Sequence, residues 1–280
     1  MDLGVTAVML PEIDFDEQIE LCVSLGIRRY QFSCGGNHRF DLTPERLVAE
    51  GKALSLKLTR AGLVPWGTLP AVRVDDGDET IALHLRGAAE AGAGRMRLDP
   101  PLLPPAPFDC RAFIERAAAR YEEVARRLAK PLGIRLLVET QAGSIASSPG
   151  LAWALVGRLD PRDIGVIFDL TSFAREGELA PDLAVSILKN AIDCVHVGGS
   201  RRVIAGSDER GCKRRESQFC SMEESDLHIP SWIAAIQAAG IAPPLIIEDF
   251  SPGMSGADKL RRGARLLHSI LKDRAEQSVP

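Results

Sequence analysis

Short apolar segments alternate with amphipathic segments along the whole chain, and the boundary between them recurs in one form. An amphipathic run ends in glycine, and an apolar segment typical of a strand begins within a few residues, as at Gly26, Gly62, Gly133 and Gly240. Glycine just past a helix end adopts the left-handed backbone that other residues resist. Helix, glycine and strand in repetition predict a parallel sheet covered by helices.

Eight strand candidates follow from this pattern, and several are continuous apolar runs, as expected for strands buried on both faces. The candidates are Gly4–Met9, Arg29–Ser33, Leu63–Leu69, Arg95–Leu98, Ile134–Glu139, Ile164–Asp169, Cys194–Val197 and Leu245–Glu248. The clearest helical segments are Thr43–Ala61, Arg111–Ala129 and Ser231–Ala239. Strands that alternate with helices in this number fit a closed barrel better than an open sheet, and no glycine-rich phosphate loop follows the first strand. We expect one α/β domain, a (β/α)8 TIM barrel, over residues 1–280.

Composition and charge exclude several classes of partner. The chain has 280 residues, 26% of them charged, and a formal net charge of −4. A nucleic-acid surface is therefore not expected, because binding to phosphates needs clustered lysine and arginine. No apolar run approaches the roughly 18 residues of a membrane span, and the N-terminus lacks the basic start of a signal peptide. The six cysteines form no CxxC pair, which favours reduced thiols in a cytoplasmic protein.

The longest stretch without a predicted helix or strand runs from Gly198 to Asp226. In a compact domain, a loop of this length is usually a lid or a binding element, or it is disordered. This loop leaves the C-terminal end of the barrel, where the active sites of such barrels lie. We therefore expect it to cover a substrate.

Four consecutive strands each carry one residue of a metal-binding type near the C-terminal end. Glu139, Asp169 and Glu248 end the fifth, sixth and eighth strands, and His196 lies in the seventh. Three carboxylates that point into one barrel mouth would repel one another unless a cation neutralised them. Carboxylates with one imidazole suit Mn²⁺, Mg²⁺, Co²⁺ or Zn²⁺. Taken singly, each acid is equally well explained as a helix cap or a loop ion pair, and the histidine as a core residue.

These strand ends resemble those of the xylose isomerase-like barrels, a superfamily of sugar isomerases, epimerases and dehydratases related in fold to endonuclease IV. The resemblance covers the whole chain in architecture and its second half in motifs, namely residues 137–141, 164–169, 195–202, 226–232 and 244–251. The similarity to ketose 3-epimerases implies that Glu139, Asp169, His196 and Glu248 bind one divalent metal ion. It also implies a substrate contact for Arg202, which lies six residues beyond the metal-binding histidine.

The resemblance implies an isomerase or epimerase that acts on a sugar or cyclitol by proton transfer. A ketose-type substrate would bind the metal through its carbonyl and an adjacent hydroxyl group. Glu139 and Glu248 would exchange a proton on opposite sides of the carbon between them, through an enediolate. If that enediolate instead expels a β-hydroxyl group, the same site gives a dehydratase of keto-inositol or dehydroshikimate type.

Two positions depart from the ketose 3-epimerase pattern. Ser172 stands where the pattern has a histidine three residues after the metal-binding aspartate, and Ile145 stands where it has a glutamate. Both positions contact substrate in that subfamily, so we expect poor turnover of free hexuloses and better turnover of a cyclic or modified keto sugar. Ser172 itself stays a candidate substrate contact.

For other residues near the strand ends, the sequence gives weaker evidence of a role in the site. Trp66 is a candidate apolar wall for a sugar, with a plain core role as the alternative. His38 and Gln141 are candidate substrate contacts, against roles as loop residues. Arg97 and Asp99, at the end of the fourth strand, are interpreted as an internal ion pair.

Three other functions stay open. One is the dehydratase of the same fold, another is a barrel that keeps the metal without catalysis, and the third is DNA repair like that of endonuclease IV. The last needs a histidine-rich trinuclear zinc cluster, whereas this chain has five histidines and Ser172 in place of one expected ligand. We expect a small-molecule sugar or cyclitol as the partner, no nucleic acid and no membrane, and leave a homo-oligomer open.

Overall fold

The structure is a computed structural model that describes residues 1–34, 40, 42–176 and 179–277, without the side chains of 176 and 275–277. Its strands, in chain order, are β1 (Leu3–Thr6), β2 (Arg29–Cys34), β3 (Val64–Pro70), β4 (Arg95–Arg97), β5 (Arg135–Glu139), β6 (Ile164–Asp169), β7 (Ile192–Val197), β8 (Gly199–Ser207), β9 (Lys213–Cys220) and β10 (Leu245–Ile247). All except β8 and β9 are parallel and close into one barrel, with β10 between β7 and β1. The protein is a (β/α)8 barrel, as predicted.

Helices cover the outside of the barrel. They are α1 (Phe15–Ser24), α2 (Pro44–Arg60), α3 (Asp78–Glu90), α4 (Cys110–Val124), α5 (Pro149–Val156), α6 (Leu170–Glu176), α7 (Pro181–Leu188), α8 (Ile229–Ala238) and α9 (Gly256–Gln277). The start of α2 follows the sequence signal, because Thr43 accepts a hydrogen bond from the Arg46 amide and proline occupies the first helical position. Among the described residues, no helix is both long and apolar enough to cross a bilayer.

The glycines from which helix ends were predicted have the left-handed backbone conformation that the prediction requires. The φ angle is 68° at Gly26, 80° at Gly62, 67° at Gly133 and 74° at Gly240. Each of these angles lies in the left-handed region, where a Cβ atom is unfavourable. The eight predicted strands are all present, and the largest difference is in the first, which ends at Thr6. These local signals therefore locate the units of the barrel.

The segment from Gly198 to Asp226 corrects the sequence analysis, because most of it is regular. Strands β8 and β9 form an antiparallel hairpin that packs against α6. Nearly every residue of β9 and most of β8 are exposed to solvent. A ribbon with both faces in water has no alternation of apolar and polar residues, and that alternation is the signal by which a strand is recognised.

The N-terminal end of the barrel is closed by a charged cluster above an apolar layer. Asp193 is paired with both Arg95, at 2.5 Å, and Arg135, and its side chain is 1% exposed. The Arg95 guanidinium lies 3.6 Å from the centroid of the Trp66 ring. An apolar cluster fills the barrel, formed by Trp66, Leu137, Ile167, Cys194 and Ile246. The barrel interior is therefore packed at this level, and the cavity lined by Glu139 and Glu248 lies at its C-terminal end.

Candidate metal and active site

The strand register brings the predicted ligands to one end of the barrel. Glu139 and Asp169 are the last residues of β5 and β6, and Asp169 pairs with His196 across β6 and β7. Glu248 follows β10, and its N–H donates to the Val197 carbonyl at 2.9 Å. The first and last of these four residues, Glu139 and Glu248, are 109 positions apart in sequence. All four side chains are buried, with exposures of 5%, 7%, 0% and 7% in chain order.

Gly198 makes the close approach of the last two barrel strands possible. A Cβ atom at this position would lie 2.2 Å from the Glu248 carbonyl oxygen and 2.7 Å from Thr171 Oγ1. No side chain fits at such distances, so only glycine allows the backbone after His196 to pass beside Glu248. The residue pair Val197-Gly198 thus helps to set the separation of the histidine and the glutamate.

Three of the four predicted ligands converge on one point. His196 Nδ1 lies 3.0 Å from Glu139 Oε1 and 3.1 Å from Glu248 Oε2. One ligand-type atom from each of these three residues lies within 4.8 Å of the other two. The same ring nitrogen faces both carboxylates, so a proton or a metal ion at this point would interact with all three groups.

Asp169 lines the same cavity, but its carboxylate is held in a different way. Oδ1 accepts a hydrogen bond from the Thr171 amide at 2.9 Å. Oδ2 accepts from the Ser172 amide at 3.2 Å and from the Ser172 hydroxyl at 2.6 Å. These bonds cap the start of α6. Asp169 is not one of the three residues that converge, although its carboxylate lines the same cavity and also caps a helix.

The carboxylates of the site perturb one another strongly. Burial, and then the charges of Glu139 and Glu248, raise the pKa of Asp169 to about 7. Burial also opposes the ionisation of Glu139, but the Arg97 charge and the contact with His196 outweigh it and lower the pKa of Glu139 to about 2. Acids crowded into a buried site in this way are stabilised in their charged forms by a divalent cation. The donor set, carboxylates with one imidazole, fits such an ion.

Arg97 is a second charged partner of the site. Its Nε lies 2.8 Å from Asp99 Oδ1, which confirms the internal ion pair predicted from the sequence. Its Nη1 also donates to Glu139 Oε2 at 3.0 Å, and this contact was not foreseen. Glu139 therefore has one oxygen committed to Arg97 and the other directed at His196.

Glu139, Asp169 and Glu248 border a cavity of about 290 Å³ at the barrel mouth, and Arg97 lines it as well. Gln141 and Ser172 also line it, as do the aromatic rings of Phe219 on β9 and Phe250 after β10. The two rings pack edge to face with their centroids 5.4 Å apart, and each is 40% exposed. The Arg175 guanidinium lies 5.4 Å from the Phe219 ring centroid. The cavity thus combines an acidic wall with an aromatic one, as small polar ligands require.

Of the other candidate substrate contacts, some line the cavity and some do not. Gln141 and Ser172 line the cavity, whereas Trp66 lies within β3 in the apolar layer and does not reach it. Arg202 is exposed on the hairpin, and its backbone N–H donates to Asp226 Oδ2 at 2.6 Å. Its side chain is not among those that line the cavity. His38 lies outside the described residues.

Several residues of the site were missed by the sequence analysis. Gln31, Arg175, Phe219 and Phe250 were not considered, and Arg97 was assigned only to its pair with Asp99. A signal existed for Gln31, because it is a polar residue between Tyr30 and Phe32 in an apolar strand. No signal existed for Phe219, since its strand was predicted to be a loop.

A closed (β/α)8 barrel with carboxylates and an imidazole at its C-terminal mouth defines a class of proteins. Residues 19–270 match the family model described as xylose isomerase-like TIM barrel, and the chain belongs to this family. The resemblance inferred from the strand ends is thereby confirmed. No curated protein matches the chain in sequence.

Solved structures of this fold superpose on nearly the whole chain. The IolI protein with a bound zinc atom has a TM-score of 0.74 and 13% identity, over 98% of this chain and 99% of that one. The 3-keto-D-glucoside 4-epimerase from E. coli has a TM-score of 0.72 and 12% identity, over 96% and 99%. The probable 3-DHS dehydratase from Bacillus anthracis has a TM-score of 0.69 and 14% identity, over 96% and 99%. At these identities the similarity shows a shared fold.

Proposed function

We propose that the protein is a divalent-metal-dependent isomerase or epimerase of a sugar or cyclitol. The observation that carries the proposal is the convergence of Glu139, His196 and Glu248 beside a cavity in the barrel mouth that both glutamates line. The similar structures support it, since one is a sugar epimerase and another contains zinc. Mn²⁺, Mg²⁺, Co²⁺ and Zn²⁺ all suit this donor set.

In this proposal, Asp169 is the fourth residue that holds the ion. It is buried, it lines the same cavity, and its pKa of about 7 reflects burial and then the nearby charges of Glu139 and Glu248. When bound, a divalent cation would act as a Lewis acid on the carbonyl and hydroxyl oxygens of the substrate. Ser172 keeps the Asp169 carboxylate in place through two hydrogen bonds.

Glu139 and Glu248 are proposed to be the acid and base. Each has a carboxylate oxygen about 3 Å from His196 Nδ1, so a substrate held by an ion at this point would lie within reach of both carboxylates. Arg97 keeps Glu139 ionised, which suits a group that takes a proton. Among the described residues, no guanidinium group forms an ion pair with Glu248, and this residue is proposed to return the proton.

The remaining walls are suited to a polyhydroxy substrate. Phe219 and Phe250 would contact its C–H face and exclude water, the role that the sequence analysis sought in Trp66. The side-chain oxygen of Gln141 is buried and, among the described residues, has no hydrogen-bond partner. A buried acceptor of this kind is stabilised by a substrate hydroxyl group.

A dehydratase is the second candidate, because one of the similar structures is a probable dehydratase of the same fold. Isomerisation and dehydration begin with the same proton transfer and differ in whether a β-hydroxyl group leaves. The experiment is therefore chosen to observe proton removal and loss of water separately.

The test combines metal analysis with isotope exchange. Elemental analysis after purification with added Mn²⁺ or Zn²⁺ should find one ion per chain, and a chelator should remove it. Ketoses, inososes and 3-keto sugars would then be incubated in D₂O and followed by NMR. Deuterium next to the carbonyl group supports isomerase or epimerase activity, and an unsaturated product supports a dehydratase. A protein that binds no divalent ion and exchanges no proton would contradict the proposal.

We predict a preference among substrates from Ser172 and Ile145. Ile145 is fully buried in the main apolar core, so that position contributes no polar group to the cavity. The Ser172 hydroxyl group already donates a hydrogen bond to Asp169 Oδ2. A site that lacks hydrogen-bond partners for the hydroxyl groups of a substrate binds that substrate more weakly and selects it less well over other substrates. With saturating metal, kcat/KM for fructose or tagatose should be at least about 100-fold below that for the best cyclic or modified keto sugar. Fructose or tagatose as the best substrate would overturn this reasoning.

A further inference from the structure

A buried polar residue lies directly behind the candidate metal site. Gln31, on β2, is 1% exposed and reaches across the barrel interior to His196 on β7. Its Oε1 atom lies 3.1 Å from His196 Nε2. Its amide nitrogen donates to Cys194 Sγ at 3.9 Å.

The contact with Gln31 places a hydrogen on Nε2 of His196. An amide oxygen only accepts hydrogen bonds, so Nε2 must be the donor to Gln31. The sulfur of Cys194 accepts the amide N–H, which accounts for the orientation of the Gln31 side chain. With the Nε2 hydrogen held by Gln31, Nδ1 is the nitrogen left to bind a metal ion, and it is the atom that faces Glu139 and Glu248.

We propose that Gln31 is a positioning residue that fixes the tautomer and orientation of His196, so that Nδ1 binds the metal. The inference rests on the proposed function. A histidine that binds a metal normally donates its other ring N–H to an acceptor, and that acceptor sets the ring orientation. A neutral amide does this without adding another negative charge behind Glu139, Asp169 and Glu248.

The chain offers a matched comparison. Gln18 is also a buried glutamine, 2% exposed, and it bonds Tyr30 and the Leu10 carbonyl away from the cavity. Replacement of either glutamine by methionine keeps the length of the side chain and removes its hydrogen bonds. Both variants should lose stability, because each leaves buried polar partners unsatisfied. Only the variant at Gln31 should also lose metal affinity.

The experiment measures Zn²⁺ affinity by competition with a chromophoric chelator, on the full chain. Gln31→Met should bind Zn²⁺ about 10- to 100-fold more weakly than the wild type, whereas Gln18→Met should bind within about threefold of it. Gln31→Glu, which keeps an acceptor at this position, should recover most of the affinity lost in Gln31→Met. Equal affinity of Gln31→Met and the wild type would overturn the inference and leave the proposed function standing.

A measurement on the wild type keeps the test independent of how the variants fold. In the Zn²⁺-loaded protein, ¹⁵N NMR of the histidine ring should show a protonated Nε2 and a Nδ1 that carries the metal. Binding through Nε2 would overturn the inference, although the metal site itself would stand. A wild-type protein that takes up no divalent ion would instead contradict the proposed function, and the inference with it.

Discussion

Replacement of Glu248 by glutamine is expected to abolish turnover while part of the metal affinity remains. The amide oxygen of glutamine can still lie at the position of Glu248 Oε2, 3.1 Å from His196 Nδ1, but the amide group cannot carry the proton that the reaction transfers. General acid–base catalysis contributes about 10²- to 10⁴-fold to a rate, so kcat should fall by at least about 10²-fold. Steady-state kinetics on any substrate identified by the D₂O screen would measure it.

The neighbouring residue supplies the control for this variant. Asp249 is buried, 3% exposed, and its Oδ1 accepts a hydrogen bond from the Ser251 amide. It does not line the cavity, so Asp249→Asn should affect stability more than kcat. Metal content is measured for both variants, so that loss of the ion is distinguished from loss of proton transfer. Wild-type activity in Glu248→Gln would rule out a mechanism with two carboxylates.

The largest expected loss of stability follows from replacing Asp193 by alanine. Its buried carboxylate is the shared partner of Arg95 and Arg135, whose side chains are 27% and 22% exposed. Removing it leaves two guanidinium groups without a counter-charge beside the apolar layer. Loss of one partner of a buried ion pair costs about 3–5 kcal/mol of stability. Because both arginines are partly exposed, we expect the free energy of unfolding to fall by about 3 kcal/mol, at the lower end of that range. Denaturant unfolding measures it, and the Tm should fall by roughly 5–10 °C.

An exposed ion pair provides the comparison. Glu50 lies 3.1 Å from Arg46 on one face of α2, and the two side chains are 48% and 38% exposed. Such pairs contribute about 0.5 kcal/mol or less, so Glu50→Ala should leave the Tm nearly unchanged. If Asp193→Ala were as stable as Glu50→Ala, the charged cluster would not hold the N-terminal end of the barrel together.

Much of the fold is determined by local features of the sequence. Gly26, Gly62, Gly133 and Gly240 end their helices because only glycine adopts the left-handed backbone without strain, and this holds whatever surrounds them. Runs such as Ile164–Asp169 become buried strands because both of their faces are covered. Parallel strands place their C-terminal ends together, so the acids at these ends could be assigned to one cavity before the structure was known.

What the tertiary structure decided depends on contacts between distant segments. Gln31 meets His196 across 165 positions of the chain, and Arg97 meets Glu139 across 42, so no local pattern indicates either pair. Strands β8 and β9 are too exposed for their sequences to alternate between apolar and polar residues. The position of Phe219 at the cavity could therefore not be predicted. The periodicity of apolar residues indicates which residues are buried, because buried positions recur at regular intervals along a helix or strand. The partner of a buried polar group is a single contact, and only the closed barrel defines it.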